Sequence, residues 1–302
     1  MITSKQIKDL AYELGAAVCG IGSLDLFEGA PIQRDPKMIL PAAKCIIGFG
    51  FRVPRMMYET MARGVQFYPY TSVGVQYTDE QMSEIFLLKL CSLIENDGWD
   101  ACPQRTVPNL KAKGDTSANP EVVDVYELIH AVPVEEGKPA PDVMIDFGIA
   151  AQACGIGVRG KSGSILSPKN GPFMRWAFII TDAPLECDKP FTGSFCDGCD
   201  ECSGACKGHA IGKDGLDSWQ CAVYYRGAHK SNPYMTDEIL KDEPDREAIL
   251  NGDKRFDRES ARNVMKQLNF MPPEVGYVPC LCGRACDVAC YKKLKKEGKI
   301  NG

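Results

Sequence analysis

No stretch of the sequence approaches the roughly 18 consecutive apolar residues that a membrane-spanning helix needs, and a helical membrane span is therefore excluded. The opening residues Met1-Ile2-Thr3-Ser4-Lys5 carry no basic segment ahead of an apolar one and no twin-arginine pair. Export is not expected, and the cytoplasm is the expected compartment. Positive charge is in short supply: 35 Lys and Arg stand against 40 Asp and Glu, giving a net charge of −5 and a pI near 5.4. That balance argues against a general nucleic-acid surface. Lys292, Lys293, Lys295 and Lys296 make the one dense basic group, and they read as the solvated face of a C-terminal helix. No segment recurs at a period of about 20 to 50 residues, so solenoids and propellers are not indicated.

Cysteine is the residue in excess. The chain has 15 in 302 residues, and with no sign of export they do not read as an extracellular disulfide framework. Cys19, Cys45, Cys91, Cys102, Cys154 and Cys187 are scattered, as expected of buried thiols that pack as small apolar side chains. The remaining cysteines all lie between positions 196 and 290.

The first two thirds of the chain reads as a mixed α/β domain. Thr3 and Gln6 have capping-box spacing, and Ile7, Leu10, Ala11 and Leu14 then recur at helical intervals. Apolar runs at 17–21 and 45–51 suit buried strands. A long helix is predicted over 80–97, stopped by Asp97-Gly98. Strands are predicted at 122–134 and 174–181, with a helix over about 143–154 between them and a polar loop at 103–120. Composition changes near Pro190. Beyond it lie the clustered cysteines and a charged insertion, from Thr236 to Arg262, with room for one or two surface helices. Two domains are expected, 1–189 and 190–302, the second interrupted over about 230–275.

Cys196-Asp-Gly-Cys199-Asp-Glu-Cys202-Ser-Gly-Ala-Cys206 has the C-x2-C-x2-C-x3-C spacing with which bacterial ferredoxins hold a [4Fe–4S] cluster. In that arrangement the fourth cysteine ligates a neighbouring cluster, so the motif predicts a partner. Cys280-Leu-Cys282-Gly-Arg-Ala-Cys286-Asp-Val-Ala-Cys290 supplies one, and Cys221 is an isolated thiol that completes it. The expected assignment places Cys196, Cys199, Cys202 and Cys290 on one cluster, and Cys206, Cys221, Cys282 and Cys286 on the other. Cys280 is then spare, although it competes with Cys282 for the same role. A pair of zinc sites is the alternative, disfavoured because the unbroken first run is too compact for one tetrahedral ion.

Gly155-Ile-Gly157-Val-Arg-Gly160-Lys161-Ser162 matches both the dinucleotide fingerprint and the Walker A pattern. Both require a strand before the loop and a helix after it. Here a helical pattern precedes it, and Gly163 and Pro168 would break a helix on its C-terminal side. The glycines therefore read as a tight turn, or as close backbone approach to some other ligand.

With these motifs in view, the chain resembles the superfamily of epoxyqueuosine reductases and reductive dehalogenases. The resemblance rests on Ala153-Cys-Gly-Ile-Gly-Val-Arg-Gly-Lys161, Gly171-Pro, Thr181-Asp-Ala-Pro-Leu185, the Cys196–Cys206 run, Cys221, and the opening from Ile7 to Ser23. It implies an α+β chain: a nitroreductase-like α/β domain that holds a base-off corrinoid (cobalamin), followed by a ferredoxin-like domain with two [4Fe–4S] clusters. It also implies a small-molecule substrate and an external low-potential electron donor such as ferredoxin or flavodoxin. Gly155, Gly157, Gly160, Lys161 and Ser164 become the expected cofactor-binding positions. The family's proton-donating aspartate falls on Pro141, which makes the adjacent Asp142 the candidate general acid, with Asp146 behind it. Asp142 also reads as a helix N-cap. Tyr68, Tyr70 and Tyr77 are candidates to line a macrocycle or to fill core, and His130 reads as structural.

The sequence departs from the respiratory dehalogenases in lacking a twin-arginine signal. It departs from the tRNA-acting reductases in ending at Gly302 without helical repeats and in being acidic. Nucleic acid is accordingly not an expected partner. The leading expectation is a cobalamin-dependent reductase that removes an electrophilic group from a small organic substrate. The alternatives are a non-catalytic iron–sulfur electron-transfer or cobalamin-reducing protein and an iron–sulfur-coupled nucleotide hydrolase.

Overall fold

The computed structural model describes residues 1–105, 133–139, 141, 143–268, 270 and 278–301. Helix α1 (Ser4–Glu13) starts at the predicted capping box: Gln6 N–H donates to Thr3 Oγ1 (3.3 Å) and Thr3 N–H to Gln6 Oε1 (2.9 Å). Strands β1 (Val18–Ser23) and β2 (Cys45–Arg52) flank the short α2 (Pro36–Ile39). Next come α3 (Arg55–Ala62), a π-helical segment (Tyr70–Met82), α4 (Ser83–Asn96) and β3 (Ala101–Arg105). Helix α5 (Phe147–Ala153), the hairpin β4 (Val158–Arg159) and β5 (Ile165–Leu166), and β6 (Met174–Thr181) follow. The cysteine-rich part holds α6 (Glu201–Ala205), the hairpin β7 (Ile211–Gly212) and β8 (Gly215–Leu216), and α7 (Ser218–Tyr225). It closes with α8 (Arg246–Asn251), α9 (Arg258–Gln267) and α10 (Ala285–Lys296).

The main sheet has the order β1-β2-β6-β3, antiparallel throughout, with β2 and β6 paired from Cys45↔Thr181 to Arg52↔Met174. Alternate residues of β2 point to opposite faces. Ile47, Phe49 and Phe51 pack with Ile7 and Ala11 of α1 and with Phe86, Leu90 and Ile94 of α4. Ile46 packs on the other face with Phe178, Ile180 and the alanines of α5. Both faces are covered, which is why β2 and β6 read as continuous apolar runs although the sheet is antiparallel.

A third core brings Tyr58, Tyr70, Leu166 and Phe173 against Leu281, Val288, Tyr291 and Leu294 of the C-terminal segment. Tyr58, Phe173 and Tyr291 stack in sequence, with ring centroids 3.9 and 4.4 Å apart. A fourth core joins Trp219, Val223 and Tyr224 of α7 to Leu240, Ile249, Phe256, Ala261 and Val264. The charged insertion does form two helices, as expected, but each has an apolar side seated on α7.

Three expectations change. The helix predicted over 80–97 begins as α-helix only at Ser83, because Tyr70–Met82 is π-helical; such segments occur often at functional sites and carry no distinctive sequence period. The helix predicted over 143–154 is shorter, Phe147–Ala153. Its N-cap is Asp146 and not Asp142, since Asp146 Oδ1 accepts from Gly148 N–H (2.7 Å) and Ile149 N–H (3.0 Å). The strand expected at 122–134 falls almost entirely, and His130 and Asp142 fall wholly, outside the described residues.

Candidate functional site

The first four thiols lie on the turn at 196–199 and on helices α6 and α10. Cys199 N–H donates to Cys196 O (3.0 Å), closing a tight turn that passes through Gly198 in the left-handed region (φ 63°) and delivers Cys202 onto α6. Helix α6 packs on α10, which carries Cys290. Burial raises the Cys290 thiol, and the charges of Asp287, Cys196, Cys202 and Cys199 raise it further. Burial, Cys196 and Cys199 likewise raise Cys202. Cys196, Cys199, Cys202 and Cys290 thus share one electrostatic neighbourhood.

The end of α7, which carries Cys221, is joined to the segment ahead of α10 by Leu281 N–H, which donates to Tyr225 O (2.8 Å). Burial pushes the Cys221 thiol up to about 12, with Cys282 and Cys206 adding to the rise and Arg284 opposing it. Cys286 is raised by burial, by Asp287, and by Cys282 and Cys221, again against Arg284. Cys280 is fully buried, its N–H donates to Thr71 Oγ1 (3.1 Å), and its sulfur lies 3.7 Å from that of Cys282. Burial holds Cys280 protonated, while the bond from Cys280 and the Arg284 charge favour Cys282 as the thiolate.

Among the described residues, no group of three or more His, Cys, Asp or Glu side chains closes around a single metal ion. The donor set does fit iron–sulfur ligation. It is all thiol, and the thiols raise one another's proton affinity, a conflict that iron cations resolve by favouring thiolate. Two of the sulfurs also accept backbone hydrogen bonds, Cys196 from Lys161 N–H (3.4 Å) and Cys206 from Ala210 N–H (3.2 Å).

The glycine segment follows a helix and leads into the β4–β5 hairpin, so the strand–loop–helix context of the nucleotide motifs is not the one found here. Its contacts lie within the protein. A Cβ on Gly155 would stand 2.5 Å from Lys189 O, one on Gly157 2.8 Å from Leu166 O, and one on Gly160 2.8 Å from the Leu166 side chain and 3.4 Å from Cys196 Sγ. Lys161 Nζ pairs with Asp200, and Ser164 Oγ donates to Asp287 Oδ1 (3.0 Å). These contacts tie the segment to the thiol region.

Asp146, besides capping α5, pairs with Arg159 (2.6 Å). Burial would raise its carboxyl, but Arg159 and the helix N–H groups outweigh burial and hold it below the usual carboxylate range. Tyr70 is buried against Tyr58, whereas Tyr68 and Tyr77 are exposed. The sequence pattern did not single out Arg284, Asp287 or Thr71. A charged pair inside a cysteine run was the available signal for the first two.

No protein-family model matches the chain. It is 27% identical over 213 residues to the epoxyqueuosine reductase of Bacillus subtilis, covering 68% of this chain and 45% of that protein. With the epoxyqueuosine reductase of Listeria monocytogenes it shares 32% identity over 214 residues, 67% of this chain and 46% of the relative. The chain resembles the epoxyqueuosine reductases. It spans less than half the length of these two relatives. The solved epoxyqueuosine reductase from Streptococcus thermophilus shares the mixed helix-and-sheet fold, with a TM-score of 0.51, 17% identity, and coverage of 96% of this chain and 79% of that one.

Proposed function

We propose that the chain is an oxidoreductase: a cobalamin-dependent reductase in which two [4Fe–4S] clusters relay electrons from an external low-potential donor to a site where an electrophilic group is removed from a small organic substrate. The observation that carries the reading is the ferredoxin-spaced run Cys196–Cys206, whose helix α6 packs on α10, the helix that bears Cys286 and Cys290. When bound, the clusters supply one-electron transfer and the corrinoid a low-valent cobalt reductant.

The chain's own residues have definite tasks in this scheme. Cys196, Cys199, Cys202 and Cys290 hold one cluster, and Cys206, Cys221, Cys282 and Cys286 the other. Lys161 N–H and Ala210 N–H orient Cys196 and Cys206 and withdraw charge from their sulfurs. Asp142 is the proposed proton donor. Residues 1–189 form the corrinoid- and substrate-binding part, and 190–302 the ferredoxin-like part with its insertion over about 230–275. The names of the relatives widen the substrate class to an epoxide carried on a modified nucleoside, so a nucleic-acid partner stands beside the small molecule. Among the described residues no helix is long and apolar enough to cross a membrane.

Anaerobic iron and sulfide quantification, with an optical spectrum taken before and after adding hydroxocobalamin, tests the proposal. About eight irons and a base-off corrinoid spectrum are expected. Eight irons without corrinoid binding would transfer the assignment to an electron carrier, and an iron-free protein would remove the cluster reading altogether.

A further inference from the structure

Helix α10 is charged unevenly along its length. Its first half carries Cys286 and Cys290, and its last turn carries Lys293, Lys295 and Lys296, with Lys292 just before that turn and Lys299 just beyond the helix. Lys292, Lys295, Lys296 and Lys299 are exposed. One acid stands among them, Glu297, and it is paired with Lys293 (3.0 Å) and Lys299 (3.1 Å). Among the described residues, Lys292, Lys295 and Lys296 have no carboxylate partner. In a chain whose net charge is −5, this end of the helix reverses the sign. Cations at a helix C-terminus complement its macrodipole, but that effect is confined to the last turn, and Lys292 and Lys299 lie outside it.

The patch is held in place from both ends of the helix. Near its start, Asp287 is fully buried and accepts from Ser164 Oγ (3.0 Å) and Arg284 Nε (2.7 Å). Near its end, Tyr291, Leu294 and Ile300 are buried and close on Gly171, where an added Cβ would meet all three within 3.8 Å. Lys296 therefore keeps a fixed offset from Cys290, about 9 Å along the helix axis. The turn at 196–199 and helix α6, which packs on α10, present the opposite sign through Asp197, Asp200 and Glu201, all exposed. A uniformly anionic phosphate backbone would be repelled on that acidic side. A folded protein can answer both signs at once, and such complementarity fixes orientation as well as attraction.

We propose that the lysine end of α10 is the docking surface for an electron-carrier protein whose redox centre has an acidic rim. The inference rests on the two-cluster reading above and deepens it by placing the external donor. The lysines attract and orient the carrier beside the helix that bears Cys290. One electron then leaves the carrier, oxidising a flavodoxin hydroquinone anion to its neutral semiquinone, and enters the ligated cluster; no bond forms or breaks.

The experiment is anaerobic stopped-flow reduction of the full-length, iron-loaded chain by reduced flavodoxin and, separately, by a reduced acidic ferredoxin. The wild type is compared with Lys292→Glu/Lys296→Glu and with Lys37→Glu/Lys89→Glu, which makes the same change in net charge at exposed lysines of α2 and α4. Photoreduced deazariboflavin, a neutral small molecule, supplies a rate that needs no docking. At low salt the carrier-driven rate constant is expected to fall about tenfold in the α10 variant and to lose most of its dependence on ionic strength. The α2/α4 variant and all deazariboflavin rates stay at wild-type values. Unmoved carrier rates in the α10 variant at full iron content overturn the proposal, as do equal falls in both variants. A wild type that deazariboflavin reduces and neither carrier does also overturns it. If the α10 variant loses iron, the wild type decides through salt: a carrier rate that falls with ionic strength supports the proposal, and one that does not overturns it. An α10 variant that keeps its carrier rates but no longer binds an RNA stem-loop by fluorescence anisotropy assigns the patch to a phosphate backbone instead. A wild type without iron is recognised at the iron count, where it removes the two-cluster reading and the docking surface with it.

Discussion

At the scale of single residues, the cysteines differ in burden although the sequence presents them alike. Cys280 and Cys282 are two positions apart with sulfurs 3.7 Å apart, yet Cys280 is fully buried and anchored through its N–H to Thr71. Cys282→Ser is therefore expected to lose about half of the bound iron, and Cys280→Ser to keep nearly all of it, by iron quantification after identical reconstitution. Asp146 gives a prediction of a different kind. Replacing it with alanine removes the cap of α5 and should lower stability by about 1 kcal/mol near neutral pH, measured by urea unfolding. Its carboxyl is held below the ordinary range in the folded chain, so its contribution is complete above the unfolded value of about 3.9 and is lost as pH falls through the depressed folded value. The wild type and Asp146→Ala should accordingly converge in acid and stay apart at neutral pH.

At the scale of elements, legibility followed how local the cause was. Helix α1 announces itself through Thr3, Gln6 and the Ile7–Ala11 spacing, and β6 through an uninterrupted apolar run. The placement of β6 between β2 and β3 is a long-range pairing that no short motif encodes. The π-helical segment is equally silent, because nothing in its residues distinguishes that period from an ordinary helix. The thiol run was legible from spacing alone, whereas Arg284 and Asp287 were not, since charged residues in a polar stretch normally meet solvent. The glycine segment matched two phosphate-binding patterns because a crowded backbone asks for glycine whether the neighbour is a phosphate or Lys189 O. The insertion was read as charged surface, yet Ile249 of α8 is fully buried and its carbonyl accepts from Tyr224 Oη of α7 (2.8 Å). Ile249→Ala should cost about 2–5 kcal/mol of stability by denaturant unfolding and lower the occupancy of the second thiol set, because α7 carries Cys221.

At the scale of the whole molecule, the sheet and the thiol sets draw on different sources of stability. The two cores that sandwich β1, β2 and β6 contain none of the eight proposed ligands. The third core includes Cys196, Cys282 and Cys290 among the residues packed on it. Removing iron with a chelator is expected to speed amide hydrogen exchange around 196–226 and 280–296 while the strands of the main sheet stay protected, as read by mass spectrometry. Equal loss of protection in both regions would mean that the sheet also depends on the metal.

Cys286 and Cys290 sit four residues apart on α10, and the proposed ligation assigns them to different clusters. One turn of helix rises about 6 Å over that interval. Whatever the two sets hold, the gap between them is measured out by a hydrogen-bonded turn and not by a loop. Thermal motion of the surrounding segments can tilt the two centres together but cannot easily change their spacing, and a tunnelling rate, which depends steeply on distance, is thereby shielded from the breathing of the rest of the chain.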